Sequence, residues 1–399
     1  MKNGWQTKPL GELCRFIDYR GKTPEKTESG LRLITAKNVK MGFLQTDPLE
    51  FVHPNTYESW MTRGIPKIGD VLFTTEAPLA NVCQLDTDER VVFAQRIIIL
   101  QPADSFLDRT FLKYLLLSDD AQQRIHAKGT GATVKGIKAS LLKTVSIGFP
   151  PLAEQRRIVG ILDEAFEGLA TAKANAEQNL QNARALFESH LQAVFTQRGH
   201  GWVEKTIGES CVLRSGTTLP KELEKSSGEV PYLKVADMNL AGNVDGVTCS
   251  SRYVNRGDVN TSNLLPVGTT IFPKRGGAIL TNKKRLTTRV ICADLNIMGV
   301  IPGKTLLPNL LYLYFLNVDM RELGSGSSIP QINNYDIEPL SISFPTLLSE
   351  QTRIVNELEA LSEETQRLES LYQRKLAALD ELKKSLLHQA FNGQLTMDH

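Results

Sequence analysis

Two stretches of the chain lack proline and repeat apolar residues at alternating spacings of four and three. The first runs Ile158, Leu162, Ala165, Leu169, Ala172, Ala176; the second runs Ile354, Leu358, Leu361, Thr365, Leu368, Tyr372. Such spacing keeps one helix face apolar and predicts coiled-coil seams over about 152–196 and 347–392. In both, the frame then meets a polar residue, Asn179 or Lys375, and Leu180 or Leu376 takes over the apolar role. Two successive spacings of four in such a pattern mark a stutter. Pro150, Pro151 and Pro345 stand just ahead of the two stretches, where proline suits the start of a helix. A helix of about 45 residues measures roughly 68 Å, too long to lie within one small domain, so these segments are expected to act as spacers. The remaining chain reads differently. Short β-rich runs at 71–74, 91–100 and 290–301 are separated by Gly, Pro, Asn and Asp, and single apolar helical stretches lie at 111–117 and 310–316.

The chain also matches itself at an offset of 195 to 199 residues. Trp5, Gly11, Glu12 and Cys14 recur as Trp202, Gly208, Glu209 and Cys211. Gly69 to Phe73 answers to Gly268 to Phe272, Gly129-Thr130-Gly131 to Gly324-Ser325-Gly326, and Ile147 to Pro150 to Ile342 to Pro345. Glu154-Gln155 recurs as Glu350-Gln351. Five patches in one order establish a tandem duplication. The expected fold is therefore α+β: globular domains at 1–150 and 200–346, each followed by a long helix, at 151–199 and 347–399. The connection after the first helix leads directly into the second domain. The two helices can then form an antiparallel coiled coil, which gives the chain pseudo-twofold symmetry.

Charge adds a modest asymmetry. Residues 1–150 carry 20 Lys/Arg against 16 Asp/Glu and 201–346 carry 15 against 13, whereas 151–200 carry 5 against 6 and 347–399 carry 6 against 9. Globular parts are mildly basic and helical parts mildly acidic, a balance compatible with nucleic acid without demanding it. Five cysteines, Cys14, Cys83, Cys211, Cys249 and Cys292, are far apart with no C-x-x-C pair, so reduced, mostly buried thiols are expected. The six histidines show no metal-ligand spacing. No apolar window is long enough for a membrane span and residues 1–30 lack a signal-type apolar core, so a soluble cytoplasmic protein is expected.

Taken together these residues resemble the specificity subunit of type I restriction–modification systems, over essentially the whole chain. The run Phe149-Pro150-Pro151-Leu152-Ala153-Glu154-Gln155-Arg156-Arg157-Ile158 looks like the family's junction between recognition domain and helix. Tyr19 to Pro24, Gly69 to Thr74 and Ala390 to Leu395 are further family-like stretches. The second copy departs at Ser349 and Thr352 and at Leu219-Pro220. The resemblance implies two target-recognition domains, each reading half of a split DNA site, with the helices fixing the distance between halves. It also implies partners: double-stranded DNA, two copies of a modification subunit that methylates adenine with S-adenosylmethionine, and a restriction subunit that cleaves DNA. On this reading the chain itself is not an enzyme and needs no cofactor; S-adenosylmethionine and ATP belong to the partners. The domains differ strongly outside the shared patches, which predicts a non-palindromic target.

Phosphates are contacted by Lys, Arg, Ser, Thr and backbone amides, and base edges by Arg, Lys, Asn and Gln. Candidate DNA-binding residues are therefore polar positions in turns near the shared patches. In the first domain they are Lys22, Thr23, Lys37, Asn38, Thr75, Lys128 and Thr130. In the second they are Thr217, Thr218, Lys234, Asp237, Lys274, Arg275, Ser325 and Ser327. Lys274-Arg275-Gly276-Gly277 is the sharpest, because glycines let backbone approach a groove while two cations reach phosphate or guanine; the same pattern also suits a solvated turn. Two rival functions lack support. A self-contained methyltransferase acting on a flipped adenine would need a polar-Pro-Pro-aromatic loop, and Phe149-Pro150-Pro151-Leu152 has neither flank. Glu381-Leu382-Lys383 has a nuclease-like Glu-x-Lys, but inside the long helix. A coiled-coil adaptor that binds only proteins would explain the helices and not two differing β-rich domains.

Overall fold

A computed structural model describes residues 4–21, 23–131, 133–196, 199–244, 246–323 and 330–395. The chain divides into two compact units that do not follow chain order. The first joins Met1–Glu177 to Arg374–His399, and the second is Gln178–Gln373. Each long helix therefore contributes one part to either unit.

The helices run Leu152–Thr196 and Leu348–Asn392, 45 residues each. In the first unit Ile158 and Leu162 lie in one core with Leu387 and Ala390, and Lys173 pairs with Asp380 at 3.0 Å. Numbers rise on one helix as they fall on the other, so the pairing is antiparallel. The second unit repeats this: Leu191 and Phe195 share a core with Ile354 and Leu358, and Arg184 meets Glu369 at 2.9 Å. The stutter is present as expected. Leu180 and Leu376 are half-buried while Asn179 and Lys375 are exposed. Aromatic residues at the helix ends reach the short apolar helix of each unit. Phe391 stacks edge-on against Phe111 at 5.4 Å, and Phe195 against Tyr314 at 5.5 Å.

Each unit is built on a four-stranded antiparallel sheet. In the first the order is Cys14–Asp18, Ile97–Pro102, Val71–Thr75, Leu79–Gln84; in the second it is Cys211–Ser215, Ile297–Pro302, Thr270–Pro273, Arg285–Leu286. A second sheet in each has a parallel pair, Leu31–Ile34 with Val92–Phe93 and Val230–Leu233 with Ile291–Ala293. The copies differ at its edges. Lys26–Thr27 adds a strand beside Glu50–Val52 in the first, whereas Leu264–Leu265 adds one beside Ile291–Ala293 in the second. The sequence runs at 91–100 and 290–301 each read as one strand, and each is two. Gln95 and Arg96 adopt left-handed backbone, φ 49° and 62°, which ends one strand and carries the chain into the other sheet.

The glutamine of the recurring Glu-Gln pair has a structural role in both copies. Gln155 is fully buried. Its oxygen accepts the Asp108 N–H at 2.8 Å, and its amide donates to the carbonyls of Phe106 at 2.9 Å and Pro150 at 2.8 Å. Gln351 does the same to Leu307 N–H, Thr305 and Pro345 at 2.8, 2.8 and 2.7 Å. One side chain thus ties the first turn of the long helix to the start of the short apolar helix, Arg109–Leu117 or Pro308–Asn317. Four of the cysteines, Cys14, Cys83, Cys211 and Cys292, are buried free thiols, and burial pushes Cys14, with help from the Asp70 carboxylate, up to about 12.

Candidate nucleic-acid interface

In the first unit the turn after Cys14–Asp18, the end of Val71–Thr75, the Gln95–Arg96 turn and the loop 129–136 surround an open cleft of about 510 Å³. The loop is closed by a two-way backbone pair between Thr130 and Gly136, both at 2.8 Å. Its tight bend requires Gly131, whose φ is 117° and where a Cβ would lie 2.2 Å from the Val134 carbonyl oxygen. Ile137 N–H then donates to Thr75 C=O at 2.9 Å, docking the loop on the strand.

Of the residues expected to touch DNA, Thr23, Thr75 and Thr130 line this one cleft. Thr23 is exposed and accepts from the Gln95 amide, whereas Thr75 is buried, its hydroxyl donating to Arg96 C=O at 3.2 Å. Lys37 and Lys128 lie outside the lining. Lys37 is well exposed, 3.7 Å from Glu50, and Lys128 donates to Thr144 at 3.0 Å. Asn38 is a correction to the sequence expectation. It is buried, its oxygen accepting Thr35 N–H and its amide donating to the carbonyls of Gln45, Thr46 and Pro48, so it fastens a loop and presents nothing outward. Lys22, Ser325 and Ser327 lie outside the described residues.

In the second unit Asp237 is the other correction. It is buried, accepts from the Lys234 backbone N–H at 2.9 Å and from Ser251, and is held below the usual carboxylate range by such hydrogen bonds even though burial pulls the other way. Lys234 is spent nearby, bonding Glu224 at 2.8 Å. Thr217 is half-buried, its amide bonded to Ala293 C=O at 2.8 Å, and Thr218 is exposed. Lys274 donates to Ser215 at 2.7 Å, and Arg275 beside it is exposed, its backbone bridging to Gln331. Burial, and then the charge of Arg275, hold the Lys274 ammonium below its ordinary range.

Sequence reasoning missed five polar or charged residues of the first cleft: Arg20, Glu76, Gln95, Arg96 and Lys138. Arg20 lay within a family-like stretch, but Gln95 and Arg96 were read as part of an apolar strand. Arg20 is held by Asp18 through two bonds, 2.8 and 2.6 Å. Arg96 approaches Glu76 through its Nε at 3.1 Å.

The two units carry this edge on one backbone pattern. Thr75 N–H donates to Arg96 C=O and Ile137 N–H to Thr75 C=O, at 2.8 and 2.9 Å; Lys274 N–H donates to Asn296 C=O and Ile332 N–H to Lys274 C=O, at 2.8 and 2.9 Å. Strand register agrees, Asp18 lying opposite Ile98 and Ser215 opposite Met298. Equivalent positions thus hold Asp18 and Ser215, Thr75 and Lys274, Glu76 and Arg275, Arg96 and Asn296. The scaffold is repeated and its polar side chains are not. Among the described residues no group of three or more His, Cys, Asp or Glu could hold a metal ion, and no helix is long and apolar enough to cross a membrane.

The chain thus has a duplicated scaffold with divergent polar edges, and paired long helices that contribute to both copies. The chain belongs to the family of the type I restriction modification DNA specificity domain, whose model matches twice, at residues 2–181 and 199–376. It is 23% identical over 430 residues to the type I restriction enzyme StySPI specificity subunit of Salmonella potsdam, covering 99% of this chain and 90% of that protein. The EcoKI specificity subunit of Escherichia coli K12 is 24% identical over 434 residues, with the same coverage of 99% and 90%. In fold, it is similar to the HsdS subunit from Thermoanaerobacter tengcongensis, at a TM-score of 0.63 and 20% identity over 99% of this chain and 98% of that one. A chain from a structure of complex assembly and conformational transition in the type I R-M system gives a TM-score of 0.74 at 19% identity, over 99% of both chains.

Proposed function

We propose that this chain is the sequence-specific DNA-binding subunit of a type I restriction–modification complex, reading a bipartite, non-palindromic target. Each globular domain reads one half, through the sheet-edge residues described above. The single observation that carries this reading is the pair of equivalent edges: one hydrogen-bonding pattern bears Thr75, Glu76 and Arg96 in one unit and Lys274, Arg275 and Asn296 in the other. A reader of two different half-sites varies its side chains on a constant frame, and the two edges do so. Of the residues expected from sequence to touch DNA, Thr23, Lys37, Thr130, Thr218, Lys274 and Arg275 remain available to a nucleic acid, and Arg20, Arg96 and Lys138 join them.

The long helices set the distance between halves and carry docking surfaces for two modification subunits, and the restriction subunit joins that assembly. Adenine methylation with S-adenosylmethionine, and ATP-driven cleavage, then belong to those partners, and this chain holds no cofactor. Sequencing methylated motifs in a host that expresses the chain with its cognate modification subunit tests the proposal. The expected motif has two unlike halves separated by unspecified bases; one continuous palindrome would overturn it.

A further inference from the structure

The left-handed turn at Gln95 and Arg96 is not required by the fold. In the second unit the equivalent turn, between Ile291–Ala293 and Ile297–Pro302, passes between the same two sheets without a positive φ. There Asp294 caps the turn, accepting the Asn296 N–H at 3.0 Å. Two adjacent non-glycine residues in the left-handed region are a strained arrangement, and such strain gathers at functional sites. Its consequence here is positional: the Arg96 side chain lines the cleft and is half exposed. Glu76, whose backbone is pinned by a bridge to Gly136, meets the Nε side of Arg96. No other protein partner engages its terminal nitrogens among the described residues. Arg20 offers less, because Asp18 already occupies its fork. A guanidinium held from behind with its outer edge free has the geometry that donates two parallel hydrogen bonds to O6 and N7 of guanine.

Resting on the DNA-reading function above, we propose that Arg96, positioned by Glu76, reads a guanine in the half-site bound by the first unit. Glu76 is a positioning residue for that contact. At the equivalent places the second unit has Arg275 and Asn296, so the Glu76–Arg96 pair belongs to the first unit alone.

The test uses the full chain assembled with its cognate modification subunit, read by methylated-motif sequencing and by binding to a duplex carrying the wild-type motif. Arg96→Ala is expected to relax one guanine position in one half, leave the other half unchanged, and weaken binding by about 5- to 150-fold. Arg96→Gly takes the left-handed backbone readily and should do the same, which separates loss of the guanidinium from loss of the turn. Glu76→Gln should weaken discrimination at that same position by a smaller factor. An unchanged motif in both Arg96 variants overturns the inference, as does relaxation at a base other than guanine or equal weakening at every position. A wild-type complex that yields no methylated motif and no binding overturns instead the DNA-reading function beneath it.

Discussion

Replacing Gln155 by leucine removes a buried amide while nearly conserving its volume, and so tests whether the recurring Glu-Gln pair is a structural clamp. Three backbone groups lose their partner: the Asp108 N–H and the carbonyls of Phe106 and Pro150. An unsatisfied buried group costs roughly 1–3 kcal/mol. The Pro150 bond is wholly buried and the other two are partly so. About 2 kcal/mol for the first and about 1 kcal/mol for each of the others gives about 4 kcal/mol. That corresponds to a change on the order of 10³ in a local opening equilibrium. Hydrogen exchange followed by mass spectrometry reads it directly, because Asp108 caps the helix Arg109–Leu117. Amides of that helix and of the first turns of Leu152–Thr196 should exchange far faster, while Pro308–Asn317 in the second unit stays unchanged. Gln351→Leu should give the converse pattern. Protection altered by less than tenfold, or lost equally in both units, would refute the clamp.

Three further outcomes follow from other parts of the molecule. Deleting seven residues from each long helix, one heptad, should shorten the unspecified gap between half-sites by about 10 Å, roughly 3 base pairs; an unchanged gap in the methylated motif defeats the spacer role. Arg275→Ala should weaken binding to the cognate duplex and relax one position in the second half-site, and unchanged affinity and motif would remove it from the interface. Lys284 is buried against Asn282 and the Val318 carbonyl, near Asp319 and Arg321, and burial pushes its ammonium down to about 8. Its folded pKa lies below the ordinary lysine value, so the unfolded chain binds more protons between about pH 8 and 10.5, and stability should rise with pH across that window. Denaturant titration of Lys284→Met should lack this rise relative to the unsubstituted chain; parallel pH profiles would show that Lys284 does not cause it.

Much of the architecture is written in local periodicity. The helix seams, the stutter at Leu180 and Leu376, and the short helices near 111–117 and 310–316 follow from spacing that one element expresses by itself. The duplication was equally legible, because shared turn and junction residues keep one order. Even the Glu-Gln pair announced itself by recurring, though only its hydrogen bonds explain why.

Side-chain exposure was decided by tertiary structure. Asn38 and Asp237 are polar residues in turns, the pattern expected of an interface, yet three carbonyls surround the first and Ser250, Ser251 and a backbone amide the second. Arg96 lies within an apolar run, so periodicity assigned it to a strand interior; a left-handed turn and a partner twenty residues away bring it to the cleft. Thr23, Thr75 and Thr130 are distant in sequence and meet because the loop 129–136 docks on a strand end and Gln95 bonds Thr23. The physical reason is range. Helix periodicity and turn chemistry are properties of neighbouring residues, so the sequence by itself determined the duplicated plan and the long helices. Burial, ion pairing and the shape of a cleft depend on which remote segments pack together, and the folded chain alone decided which polar groups face outward.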